Sequence, residues 1–276
     1  MPLLRGSVAV ITGASRGVGK GIALALGEAG ATVYVTGRSE AGGTTEGLPG
    51  TVRDTADAVT QRGGQGVAVR CDHTVDAEVE ALFARVTQEQ GRLDLLVNNA
   101  WGGYERQDWS RFGAPFWEQP LRHWSGMFEA GVRAHLAATR LAVPLMLPNR
   151  RGLIVHTIAW DRDKYLGNLF YDVAKAAVNR LAFGMARELR PHGVAVVALA
   201  PGFVRTERVL AAFAGAGRVP ENLESPEYTG RAVVALAGDA NVMARSGRVL
   251  TVGQLAAEYG LTDVDGRQWP PFQVEA

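Results

Sequence analysis

Two residues at helical spacing suggest proton-transfer chemistry. Tyr171 and Lys175 in YDVAK stand at i and i+4, which puts both side chains on one face of a helix. An ammonium beside a phenol favours the phenolate and lowers its pKa from about 10 toward the range useful for proton transfer. The alternative for such a pair is a solvated helix surface. Here it opens a helical stretch at 169–190 after an apolar run at 152–158, which aims it at the edge of a sheet.

A second group of residues suits a phosphate. After an apolar run at 7–12 the chain reads TGASRGVG, with Gly13, Gly17 and Gly19 spaced to turn tightly and then open a helix. The N–H groups exposed at that helix start can hold a pyrophosphate, and glycine is needed where backbone approaches it or takes positive φ. An ordinary βα turn is the alternative. The next strand ends in VTGRS, where an Asp or Glu would bind the ribose hydroxyls of NAD; Gly37, Arg38 and Ser39 stand there instead. Arg38, with Arg16 of the glycine loop, could hold a 2′-phosphate by charge-assisted hydrogen bonds, which favours NADP. Two solvated surface arginines are the alternative. Asp72, in the CDH after the third strand, could accept from an adenine amino group or cap the following helix.

The elements that must position these groups follow from periodicity. Strand-length apolar runs at Ser7–Thr12, Ala31–Thr36, Gly66–Arg70, Leu93–Val97, Gly152–Ile158, Val194–Leu199 and Arg248–Val252 alternate with helical spacing near 17–29, 52–62, 76–90, 121–146, 169–190 and 227–237. That alternation predicts parallel βαβ units: an α/β, doubly wound Rossmann-type sheet of about seven parallel strands with helices on both faces. Residues 1–276 read as one domain without repeats. Irregular segments at 101–120 and 202–226 follow strands at their carboxyl ends, where ligands bind in such sheets. A third, at 39–50, has the composition of a loop, and 258–276 is an irregular tail.

The net charge of +1 over 276 residues excludes a polyanion-binding surface set by bulk charge, so no nucleic acid is expected. Hydrophobic residues at 47% predict a full core. The 34 glycines, above the usual share of about 7%, ask for many tight turns. Cys71 is the only cysteine, so no intrachain disulfide can form; it reads as a buried small hydrophobe in a reducing compartment. The start MPLLRGSVAVITGASRG runs straight into structure without a leader pattern, and no apolar stretch approaches the roughly 18 to 20 residues of a membrane span. A cytoplasmic protein with a small-molecule substrate is the expectation. No metal-ligand set is read.

Together TGASRGVG, LLVNNA at 95–100, YDVAK at 171–175 and PGFVRTE at 201–207, in this order, resemble the short-chain dehydrogenase/reductases over roughly residues 5 to 255. APFWEQP at 114–120, GLIVHTIAWD at 152–161 and DVDGR at 263–267 carry the wording of one branch of that family. The resemblance implies a nicotinamide cofactor across the strand ends, touched by Gly13, Ser15, Arg16, Gly17, Val18, Gly19, Asp72, Asn99 and Ala100. Pro201, Gly202, Val204 and Thr206 would face the nicotinamide. It further implies Tyr171 as proton donor or acceptor, Lys175 on the ribose, and a homodimer or homotetramer.

The chain departs from that pattern at three positions. A serine customary near the end of the fifth strand falls on Ile158 or Ala159, and a customary helix asparagine on Gly131. Trp101 replaces a small glycine beside the cofactor, which should reshape the pocket. Thr157, His156 or Asp161 could supply the missing donor or be structural. Trp101, Trp109, Trp117 and Trp124, joined by Tyr104, Phe112 and Phe116, form either an apolar lid for an aromatic or otherwise hydrophobic substrate, or a loop packed on its own core or a subunit interface. The tail is an interface element or a pocket cover. An NADP(H)-dependent carbonyl reductase is the leading expectation; reduction of an activated C=C or C=N bond and a noncatalytic cofactor-binding protein stand beside it.

Overall fold

The computed structural model describes residues 3–41, 43–105, 111–160, 164–214 and 220–273. Seven strands, β1 (Val8–Ile11), β2 (Thr32–Gly37), β3 (Gln65–Arg70), β4 (Leu95–Asn98), β5 (Gly152–Thr157), β6 (Val194–Ala200) and β7 (Val249–Thr251), form one sheet in the order β3-β2-β1-β4-β5-β6-β7. Every neighbouring pair is parallel. The helices in chain order are α1 (Gly17–Glu28), α2 (Val52–Gln61), α3 (Asp76–Gln90), α4 (Arg122–Phe128), α5 (Ala134–Met146), α6 (Leu169–Leu189), α7 (Glu207–Ala214), α8 (Pro226–Gly238) and α9 (Val252–Tyr259).

The two-residue period of the strands sorts the core into two layers. Ala9, Ile11, Val33 and Val35 face α1, α2, α8 and α9. Val8, Val10, Tyr34 and Leu96 face α3, α5 and α6. With helices on both sides, β1, β4, β5 and β6 are buried along their whole length, as their unbroken apolar runs predict. Each such Val, Leu or Ile contributes about 1.5–3 kcal/mol through its burial. Strand β1 sits between β2 and β4, so the strand order reverses there and a crevice opens above the carboxyl ends of β1 and β4.

Three differences from the sequence expectation matter for the site. The stretch 121–146 is not one helix: a π-helical turn, Glu129–Arg133, separates α4 from α5. The segment at 202–226 contains α7, and α9 precedes the tail. The tail is pinned, with the Trp269 indole donating to Asp263 at 2.8 Å and the Tyr228 hydroxyl to the Trp269 carbonyl at 3.3 Å. No helix among the described residues is long and apolar enough to cross a membrane, and none of their His, Cys, Asp and Glu residues form a metal-holding group.

Candidate active site

The glycine loop is built by reciprocal hydrogen bonds between β1 and β4. The Thr12 hydroxyl accepts from the backbone N–H groups of Asn99 and Ala100, both at 2.9 Å. The Asn99 amide donates in return to the carbonyls of Thr12 (3.1 Å) and Gly13 (3.0 Å). Gly13 has φ +65° and a Cβ there would lie 2.8 Å from Ala100 Cα, so only glycine fits. Gly13, Ser15, Arg16, Gly17, Val18, Arg38, Ser39, Asp72, Asn99, Ala100, Trp101 and Thr206 line a cleft of about 250 Å³. Gly19, expected to touch a cofactor, lines neither this cleft nor the neighbouring cavity. It is buried, and a Cβ there would lie 2.5 Å from both the Asn99 amide and the Gly13 carbonyl, so the loop packs closely around it. The first amide of α1 already has an anion: Gly17 N–H donates to the Glu207 carboxylate at 2.8 Å.

Both arginines that line the cleft beside β2 are engaged. The Arg16 guanidinium donates to the Ser39 hydroxyl (2.8 Å) and to the carbonyls of Leu48 (3.1 Å), Pro49 (3.0 Å) and Gly50 (3.0 Å), which pins the 39–50 segment beside the cleft. Burial holds Arg16 below its ordinary pKa. Arg38 pairs with Glu105 and lies 3.7 Å from Asp72. Asp72 does not cap α3, whose cap position is Val75; it accepts from the Thr74 N–H (3.0 Å) and hydroxyl (2.7 Å). Burial works to raise the Asp72 carboxyl, but the Thr74 bonds and Arg38 hold it below its usual value. Cys71 is fully buried, which pushes its thiol up to about 12.

Tyr171 and Lys175 lie in the first turns of α6 and line a cavity of about 640 Å³. Asn168 sets the start of that helix: its side chain accepts from Tyr171 N–H at 3.0 Å and donates to the Phe112 carbonyl (2.7 Å) and Gln119 (2.9 Å). One buried amide therefore fixes both the start of α6 and the aromatic segment. Lys175 is buried, and among the described residues no carboxylate pairs with it; burial pushes it down to about 7. Its Nζ lies 3.7 Å from the Trp101 ring centre and 5.5 Å from that of Tyr171. The expectation that Lys175 depresses the Tyr171 pKa is not met here. Burial raises Tyr171 above the ordinary phenol value, and the opposing influence is a hydrogen bond from Tyr104.

The departures at Ala159, Ile158 and Gly131 have structural consequences. Ile158 and Ala159 line the cavity and bring no hydroxyl to it. Thr157 also lines it, but its hydroxyl lies 3.4 Å from both the Asn98 carbonyl and the Asn99 side-chain oxygen, to either of which it donates. His156 points into the core, 3.4 Å from the His135 ring nitrogen, and burial pushes it down to about 4. Asp161 and Trp109 lie outside the described residues. The space at Gly131 is taken by Trp101: a Cβ there would lie 2.3 Å from the indole. Trp101, Tyr104 and Phe112 line the cavity with Trp160, Phe203 and Phe213, whereas Trp117 and Phe116 are exposed, so the aromatic segment divides between pocket and surface. Pro201, Gly202 and Val204 line the cavity, and Phe272 brings the tail to its wall. Gly202 N–H donates to Glu224 at 2.8 Å, and burial pushes that carboxyl up to about 7.

Sequence reasoning does not reach Asn168, Glu207 and Phe272 as site residues, and it reaches Tyr104 only as part of the aromatic segment. Asn168 carries a usable signal, an N-cap residue three positions before Tyr171. The others arrive from distant segments. Val18, Asn99, Trp101, Tyr104, Thr206 and Arg208 border both cleft and cavity, so the two form one continuous site.

Comparison with known proteins agrees with this geometry. The profile of the short chain dehydrogenase family matches residues 7–215. Dehydrogenase/reductase SDR family member 1 of Mus musculus is 43% identical over 277 residues, covering 96% of this chain and 85% of the relative. The solved structure of a single-substitution variant of actinorhodin polyketide ketoreductase with NADPH superposes with a TM-score of 0.73 at 26% identity, covering 89% and 95% of the two chains. A metagenomic short-chain oxidoreductase in complex with NADP gives 0.67 at 28% identity, covering 87% and 94%. The chain therefore belongs to the short-chain dehydrogenase/reductase family, and within it the resemblance runs to the Dehydrogenase/reductase SDR family member 1 branch.

Proposed function

We propose that the protein is an NADP(H)-dependent oxidoreductase that reduces a carbonyl on an apolar, aromatic substrate. The observation that carries this reading is the place of Tyr171 and Lys175: they line an apolar cavity that continues into a glycine-lined, arginine-flanked cleft. The cleft fits the cofactor's phosphates, since Gly13 and Gly17 stand along it at φ +65° and +57°, a backbone that glycine alone takes without strain, beside Ser15 and Arg16. Gly13, Ser15 and Gly17 would hold the pyrophosphate. Arg38 and Ser39, with Arg16 and with no acid at the end of β2, would take the 2′-phosphate, and Asp72 the adenine. Lys175 would hold the ribose, and Thr206 and the Pro201–Val204 turn the nicotinamide. When bound, that ring supplies the hydride.

The protein's own part is to bind, orient and move a proton. Burial keeps the Tyr171 phenol protonated at neutral pH, which suits donation of a proton to the substrate oxygen during reduction. Lys175, pushed down to about 7, takes or gives a proton near neutrality and can reprotonate the site. The aromatic walls exclude water and accept a flat apolar group. Turnover of NADPH, with NADH alongside, on acetophenone, benzil and phenanthrenequinone tests the reading. Faster reduction with NADPH supports it; tight NADPH binding without any turnover on the three contradicts it.

A further inference from the structure

We propose that Tyr104 is the second hydrogen-bond donor to the substrate's carbonyl oxygen, beside Tyr171. The inference rests on the carbonyl reading above and names the group that completes it. A carbonyl oxygen has two lone pairs, and as hydride arrives its growing charge is stabilised by donors aimed at both. Tyr171 supplies one. At the end of β5, Ile158 and Ala159 offer no hydroxyl, and the Thr157 hydroxyl is directed at oxygens of Asn98 and Asn99.

Tyr104 brings a hydroxyl from another segment. Its ring stacks on that of Tyr171, with centroids 5.8 Å apart and planes at 25°, so the two phenols are neighbours, and each influences the ionisation of the other. Both line the cavity. The pair is held edge-on by Trp101, 5.7 Å from Tyr104 and 5.6 Å from Tyr171, and by Phe112, at 6.4 and 6.0 Å. A hydroxyl hydrogen rotates, so the Tyr104 hydroxyl can aim its donor at a substrate oxygen beside Tyr171 without moving the ring. Burial drives the Tyr104 pKa well above that of an ordinary phenol, so the group stays a donor across the working pH range.

The test is Tyr104→Phe, which keeps the ring and removes the hydroxyl. With NADPH and the three carbonyl probes above, kcat should fall roughly a hundredfold or more, with NADPH affinity within about twofold because the hydroxyl is assigned to the substrate. Adding Ala159→Ser to Tyr104→Phe should recover about tenfold, since a serine there returns a donor; a packing role would not be rescued. In the protein alone, the ultraviolet titration of tyrosinate should show Tyr171 ionising at higher pH in Tyr104→Phe, with Tyr171→Phe identifying the signal. Tyr104→Phe with nearly unchanged kcat, while Tyr171→Phe is inactive, overturns the donor role and leaves the carbonyl reading standing. An unmoved tyrosinate titration overturns the hydroxyl contact itself. Wild type inactive on all three probes removes the carbonyl reading, and the donor role with it.

Discussion

The Lys175 ammonium lies 3.7 Å from the centre of the Trp101 ring, a cation–π contact made at the bottom of the site. Trp101 can occupy that place because Gly131 has no side chain; a Cβ there would lie 2.3 Å from the indole, and one at Gly103 would lie 2.6 Å from it. The tryptophan and the missing helix side chain are thus two halves of one arrangement.

Gly131→Ala should consequently destabilise the protein. Ala normally stabilises a helix interior by about 1 kcal/mol over Gly, whereas overpacking a filled site costs about 1–3 kcal/mol. In a Trp101→Gly background the same substitution should be neutral or stabilising. Urea denaturation of the four proteins measures this; an equal effect of Gly131→Ala in both backgrounds would show that the two positions are independent.

Glu207 gives a prediction about affinity. Its carboxylate accepts from the Gly17 N–H at 2.8 Å, the group that a cofactor pyrophosphate would use. Glu207→Gln should therefore tighten NADPH binding about five- to tenfold, roughly 1 kcal/mol of relieved competition at an exposed effective dielectric. Fluorescence titration with NADPH reads it directly. Unchanged or weaker binding would mean that Glu207 supports the loop without competing.

Stability should depend on pH through Glu224. Its folded pKa of about 7 lies above the ordinary 4.5, so between these values the folded state binds more protons than the unfolded one, and stability falls as pH rises. The loss is about 3 kcal/mol when complete. His73 and His156, each pushed down to about 4 by burial, act oppositely: the unfolded state binds the protons, and stability falls as pH drops from 6.5 to 4. Comparing Glu224→Gln with wild type isolates the carboxyl. The stability of the variant relative to wild type should grow between pH 4.5 and 7; a constant difference would contradict the shift.

The fold is legible in the sequence because its signals are local. VAVI, LLVN and VAVVALA each announce a doubly buried strand within a few residues, and YDVAK carries Tyr171 and Lys175 within one turn and a half of α6. Helix α7 escapes such a reading because it is only eight residues long and turns Val209, Ala212 and Phe213 to the cavity rather than to the core. The π-helical turn lies at Gly131, against a ring thirty positions earlier, and no window along the chain contains both. The same distance hides Tyr104 from Tyr171 and Glu207 from Gly17, and it hides the engagement of Arg16 with the 39–50 segment. The sequence-level expectation for Tyr171 counts the nearby ammonium and omits burial, which wins in the folded protein.

Single-turnover NADPH oxidation with wild type and Tyr171→Phe reads whether Tyr171 supplies the proton to the substrate oxygen. The variant should bind NADPH within about twofold of wild type and reduce carbonyl probes roughly a hundred- to ten-thousandfold more slowly. A Tyr171→Phe protein that oxidises NADPH at the wild-type rate on the same probe would contradict that role.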